Sequence, residues 1–278
     1  MEYFLSVPKT LFPAWVAAAT LASFLAASLP ARAGEPAHLA LDRGDYGWVA
    51  AALLSQVGAQ LSFQAMDPVD LAALDKGDLA GFDRWAAGNH SPVAAHTSDI
   101  LLFSLGALPM ALSAWDAHRL GNWRPVAVEG VIYGEALLLS SALNLYVRSL
   151  QIHPRPLVFS GDAPRSDRLA GDASGSFYSG HATGAFLAAV YLAYTYPLRH
   201  PDFQGRAWLW GAGLGGAATV AGLRVAAGKH FPSDVVVGAA LGGLAGWAFP
   251  RMHLRPGAGR ADLRLHPADL HPELAWTF

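Results

Sequence analysis

Long apolar blocks alternate with short polar or turn-forming stretches along this chain. The first block runs from Leu11 to Leu29. Six more follow, at Tyr46–Phe63, Ser98–Trp115, Pro125–Val147, Gly180–Tyr196, Ala207–Leu223 and Ser233–Phe249. Each is too long for an ordinary strand and almost free of charge, so each predicts a helix. Most reach the ~17–25 residues that a bilayer crossing takes. The expected fold is all-α: a bundle of about six long helices, transmembrane rather than the buried core of a soluble helical domain. Tyr46–Phe63 departs from the rest. Gln56, Gln60 and Gln64 recur every fourth residue, a polar stripe that sets this helix against its neighbours or partly in the interface.

Small residues add a packing expectation. Gly211 and Gly215 form one G-x-x-x-G; Gly238, Gly242 and Gly246 form a double one. This spacing lets helix backbones approach closely in lipid, and predicts that the last two long helices pack on each other.

Composition sharpens the membrane reading. Of 278 residues, 53% are hydrophobic and 14% charged, against about 25% charged in a soluble domain. The formal net charge of -2, without a basic tract, gives no sign of a nucleic-acid partner. The chain has no cysteine, which excludes disulfides, thiolate metal sites and a cysteine nucleophile.

Polar segments suggest an orientation. Asp67, Asp70, Asp75, Asp78 and Asp83 make the loop from Gln64 to Thr97 acidic. Arg119 and Arg124, then Arg199 and Arg206, then Arg251, Arg255, Arg260 and Arg264 mark the remaining turns and the tail. The positive-inside rule places these arginines in the cytoplasm and the opposite helix ends on the exported face. Ala31-Arg32-Ala33 after the first block resembles a signal-peptidase site. Residues 1–33 are therefore a signal peptide or a first membrane helix. Cleavage there, followed by six crossings, would reverse the orientation the arginines indicate. The expected division is a helical domain over 46–250 and a polar tail over 251–278.

Three stretches carry the chemistry. They are Arg148-Ser-Leu-Gln-Ile-His-Pro-Arg155-Pro156, then Tyr178-Ser179-Gly180-His181, then Arg224-Val-Ala-Ala-Gly-Lys-His230-Phe-Pro-Ser-Asp234. Each lies at a helix boundary on the predicted exported face. Arg148 and Arg155 offer planar forks that match phosphate oxygens, although arginines are also routine anchors at a membrane boundary. Ser179 and Gly180 open a helix, whose first N–H groups favour an anion. His181 projects from that first turn. Asp234, four residues after His230, is placed to hold one ring nitrogen and leave the other free to attack. Taken singly, these are also ordinary capping residues and loop histidines. Together they suit one task, which is to hold a phosphate and attack it with an imidazole.

Read jointly, the motifs resemble the type 2 phosphatidic acid phosphatase and vanadium haloperoxidase superfamily. Its pattern is Lys, six residues and Arg-Pro; Pro-Ser-Gly-His; and Ser-Arg, five residues, His, three residues and Asp. The chain matches the spacing throughout, with Arg148 for the Lys, Tyr178 for the Pro and Leu223 for the Ser. The resemblance covers about Arg148 to Asp234. It implies that His230 takes up the phosphoryl group, that Asp234 orients it, and that His181 acts as general acid and then base. Arg148, Arg155, Arg224, Ser179 and the Gly180 N–H would clamp the phosphate, with no metal or other cofactor. The implied substrate is a phosphorylated lipid, such as phosphatidic acid or an isoprenyl diphosphate. A soluble periplasmic acid phosphatase, a haloperoxidase and an inactive scaffold or transporter are the competing readings.

Other polar residues have weaker expectations. Glu129, Glu135 and Asn144 suit hydrogen bonds between helices as well as function. His90, His96 and His118 show no metal spacing. His153, inside the first stretch, suits solvent exposure or else contact with substrate, and His253, His266 and His271 read as solvated tail.

Overall fold

The computed structural model describes residues 37–256. The first apolar block and Arg260, Arg264, His266 and His271 lie outside these residues. The described chain begins with a short strand, β1 (Ala37–Leu39). It continues through α1 (Arg43–Gln64), α2 (Pro92–Leu120), α3 (Arg124–Ser149), the single turn α4 (Arg165–Arg168), α5 (Gly180–Arg199), α6 (Arg206–Ala226) and α7 (Pro232–Met252). It closes with β2 (Leu254–Pro256). All six helices expected from the pattern are present, each extended by a few residues at its ends.

Local chemistry sets several of those ends. Asp42 caps α1 by accepting from the Gly44 N–H at 2.7 Å, and the Asp45 carboxylate accepts from the Asp42 N–H in return. The Ser91 hydroxyl accepts from the Ala94 N–H to open α2, and Gly121 at φ 67° closes it. Pro92, Pro125 and Pro232 lie in the first turns of α2, α3 and α7, where a missing N–H costs nothing.

The six long helices alternate in direction. The starts of α2, α5 and α7 gather with the ends of α1, α3 and α6. At the opposite end β1 pairs antiparallel with β2, Leu39 facing Leu254. The densest core lies between α3, α5 and α7, where Ile132, Tyr133, Ala136, Leu187, Tyr191, Ala245 and Phe249 are buried together.

The glycine expectation needs correction. Gly211 and Gly215 on α6 are exposed and face open space. The second glycine series packs α7 on α5, not on α6. A Cβ on Gly238 would lie 2.5 Å from the Ser179 carbonyl oxygen. One on Gly246 would lie 2.4 Å from that of Leu187, and one on Gly242 closer still to that of Thr183. Three successive turns of α7 thus rest on the backbone of α5 at the same four-residue interval. This contact fixes the Ser-Gly-His turn against the start of α7.

Apolar side chains also face outward. Leu54, Val57 and Leu61 on α1, Ile100 and Phe103 on α2, Trp208 on α6 and Val236 on α7 are exposed. Three helices, α2, α3 and α7, are long and apolar enough to cross a membrane. Outward apolar faces on such helices suit a lipid surround better than water. In the polar-striped α1, Ala52 and Ala59 are the fully buried positions, while Gln60 and Gln64 point outward.

Polar residues at the strand-bearing end tie helices together. Arg199 on α5 pairs with Asp116 on α2 at 3.2 Å and with Glu129 on α3. His253 is buried rather than solvated. Its Nε2 lies 3.3 Å from Asp45 and 3.4 Å from Glu135, joining α1, α3 and the end of α7. The arginine-rich turns predicted for one side all fall at this end.

Candidate active site

All three chemistry-bearing stretches converge at the other end of the bundle. Arg148 occupies the last turn of α3. Its Nε donates to the Gly175 carbonyl at 2.9 Å, its Nη2 to the Asp172 carbonyl at 3.2 Å, and its guanidinium lies 4.6 Å over the Phe63 ring. Arg155 follows in the loop. Its N–H donates to the Ala173 carbonyl at 2.8 Å and its Nη2 pairs with Asp172 at 2.8 Å. Burial holds the Arg155 pKa below the usual arginine value, and the Asp172 charge opposes that shift. Arg224 ends α6, with its Nη1 3.1 Å from the Ser98 hydroxyl and 3.2 Å from Asp99.

These three side chains are almost fully buried. Among the described residues, the Nε groups of Arg155 and Arg224 have no hydrogen-bond acceptor. A buried donor left unsatisfied costs about 1–3 kcal/mol, so such a cluster is suited to accept an anion. Lys229 adds a further cation whose pKa is lowered by burial and then by Arg155.

The Ser179-Gly180-His181 turn sits at the start of α5. The Ser179 hydroxyl accepts from the Ala182 N–H at 3.3 Å, so it caps the helix, and it keeps its own hydrogen to donate. The Ser179 N–H donates to the Asp234 carbonyl at 3.0 Å, which locks this turn to α7. Asn144 on α3 donates to the Tyr178 carbonyl at 2.6 Å. A Cβ on Gly180 would lie 2.7 Å from the Asn144 side-chain oxygen, so any larger residue there would displace the amide that holds the Tyr178 carbonyl. His181 reaches across to α2, where its Nε2 meets Asp99 at 2.7 Å.

His230 is fully buried, in the loop between α6 and α7. Gly228 shapes that loop at φ 69°, where a Cβ would collide with the Asn89 carbonyl. His230 Nδ1 donates to the Ser176 carbonyl at 2.9 Å, which leaves Nε2 as the free lone pair. Burial pulls the His230 pKa down to about 3, against the pull of Asp234. The ring is therefore neutral at physiological pH.

Asp234 differs from the sequence expectation. Its Oδ2 lies 3.6 Å from His230 Nδ1, too far for a hydrogen bond. That oxygen instead accepts from the Ser176 hydroxyl at 2.5 Å and the Phe231 N–H at 2.8 Å. The Ser176 backbone holds the ring, and Asp234 acts on it as a nearby charge. The other carboxylate oxygen, Oδ1, lies 3.3 Å from His153 Nε2. His153, expected in solvent, is mostly enclosed.

Sequence reasoning thus missed Asp99, Ser176 and the placement of His153. Asp99 is one acid in an apolar helix far from any motif. No local signal marks it as the partner of both His181 and Arg224.

The PAP2 superfamily profile matches residues 129–257, which span every one of the three stretches. No curated protein matches the chain. Among solved structures it is similar to a transmembrane PAP2-type phosphatidylglycerolphosphate phosphatase from Bacillus subtilis. That match has 20% identity and a TM-score of 0.44, and covers 74% of this chain and 93% of the other.

Proposed function

We propose that this chain, whose residues 129–257 match the PAP2 superfamily model, hydrolyses a lipid phosphate monoester or diphosphate through a phosphohistidine. The observation that carries this reading is the cluster of three buried guanidiniums, two with an unsatisfied Nε, beside a buried neutral imidazole.

In this reading Arg148, Arg155 and Arg224 surround the phosphate, with the Ser179 hydroxyl and the Gly180 N–H at the start of α5 completing the cradle. His230 Nε2 attacks phosphorus. The bond to the alkoxide or phosphate leaving group breaks, and His181 gives that oxygen its proton. Water then attacks the phosphoryl group, His181 takes back a proton, and the P–N bond breaks to release inorganic phosphate and neutral His230. Asp99 holds His181 Nε2 and leaves Nδ1 to carry the proton. The arginines stabilise charge on the phosphoryl oxygens, so the reaction is metal-independent.

A lipid substrate is supported by the outward apolar faces of α1, α2 and α7 around the site's end of the bundle. The same faces weigh against a soluble acid phosphatase. The arginine-rich opposite end supports an active site on the exported side of the membrane.

The test is phosphate release by purified protein in EDTA from phosphatidic acid, an isoprenyl diphosphate and a small soluble ester. Release that falls by about 10³-fold or more in His230→Ala supports the reaction, and the preferred substrate separates lipid from general phosphatase. Absence of release, or equal release by the variant, would overturn it in favour of an inactive scaffold.

A further inference from the structure

His153 is a third imidazole in the site and has no part in the reaction described above. It lies two residues before Arg155, in the loop between α3 and the Ser176 segment. Its backbone carbonyl accepts from the Ser176 N–H at 2.9 Å, so it is fixed to the segment that holds His230. Its ring packs edge-on against Phe231 at 5.2 Å and Phe177 at 6.0 Å. These contacts aim Nε2 at Asp234 Oδ1. The carboxylate therefore stands between two imidazoles, with His153 on one oxygen and His230 near the other.

We propose that His153 is a positioning residue that acts through Asp234, sharing that carboxylate with His230 so that its charge state decides how strongly Asp234 supports the nucleophile. The proposal rests on the phosphohistidine reading. When His230 takes up the phosphoryl group its ring becomes cationic, and Asp234 is the nearest carboxylate. A proton on His153 neutralises much of that support. Loss of the proton restores it.

The charges facing His153 are few. Asp234 faces it from α7, Asp83 from the acidic loop acts at longer range, and the Pro154 carbonyl lies 3.4 Å from Nδ1. Arg155 is its neighbour along the chain. Burial works against the charged ring, but Asp234 outweighs it and raises the His153 pKa above 6.5. His230, pulled down to about 3, is neutral across the working range and cannot produce an acid limb near neutrality. The coupling through Asp234, 3.3 Å from His153 Nε2, predicts an acid limb set by His153.

The experiment measures kcat and KM from pH 5 to 9 for wild type, His153→Gln and His153→Lys, with His230→Ala as the inactive control. Gln is a neutral replacement; Lys keeps the charge. The wild-type kcat should fall about tenfold per pH unit below the His153 pKa. His153→Gln should lose that limb and keep its KM within about twofold, because the phosphate is held by other residues. His153→Lys should stay low throughout. An unchanged acid limb in His153→Gln, with His230→Ala inactive, would overturn the role of His153 and leave the phosphatase reading standing. A wild type without activity would overturn both. If the Gln variant does not fold, nitrogen-15 titration of wild type and Asp234→Asn decides. The His153 pKa should fall in Asp234→Asn, and one that does not move would overturn the coupling.

Discussion

At the scale of single residues, one carboxylate on α2 organises half of the site. Asp99 meets both His181 at 2.7 Å and Arg224 at 3.2 Å. In the proposed reaction it orients the imidazole that moves protons and offsets one of the guanidiniums that bind phosphate. Asp99→Asn keeps the shape and removes the charge. We expect kcat to fall roughly 10- to 100-fold, with a smaller change in KM, in steady-state kinetics on the preferred substrate. His230 and His153 make opposite contributions to stability against pH. The His230 pKa is depressed on folding, so the unfolded chain binds more protons. That contribution is present above about pH 6.5 and is lost as pH falls toward 3. The His153 pKa is raised, so its contribution is present below about 6.5 and lost as pH rises through its folded value. Thermal unfolding in detergent should show less acid destabilisation in His230→Gln than in wild type.

At the scale of elements, the face-to-face contact of α5 and α7 holds the chemistry in register. Gly238, Gly242 and Gly246 rest on the carbonyls of Ser179, Thr183 and Leu187. A side chain at Gly242 meets backbone, which cannot move without separating the helices. Gly242→Val should cost more than the ~1–3 kcal/mol of ordinary overpacking and abolish activity, read as loss of the folded peak in size exclusion. Gly211→Val, on open space, should be tolerated. The glycine spacing was legible in the sequence, but its partner was not. Spacing shows that a helix permits close approach, not which neighbour comes close. Asn144 has the same logic. Its position inside an apolar helix marked it as unusual, and only the fold reveals that it holds the turn before Gly180.

At the scale of the whole molecule, the six long helices among the described residues return the chain to the end at which residue 37 lies. The pairing of β1 with β2 fixes residues 37 and 256 at one end, opposite the site. The chain has no cysteine, so single cysteines report sidedness without background. His38→Cys and Asp202→Cys should label from one side of intact membranes. Asp78→Cys and Asp162→Cys should label from the other, the side that also exposes the active site. Labelling of all four from one side would refute a bundle that spans the membrane.

By itself the sequence determined the helices and the three candidate stretches that the fold brings together. Helix formation is a matter of local pattern, and motif spacing is a property of neighbouring residues. It placed Arg148, Arg155, Ser179, Gly180, His181, Arg224, His230 and Asp234 at helix ends on one face, because alternating helices bring alternate ends together. Tertiary structure alone decided the partners. Asp99 joined His181, the Ser176 carbonyl accepted the His230 Nδ1–H bond, His153 came beside one oxygen of Asp234, and His253 was drawn into the bundle. Each of these is a contact between helices or loops remote in sequence. Such contacts are chosen by packing and by the cost of burying an unpaired charge, which no local spacing records.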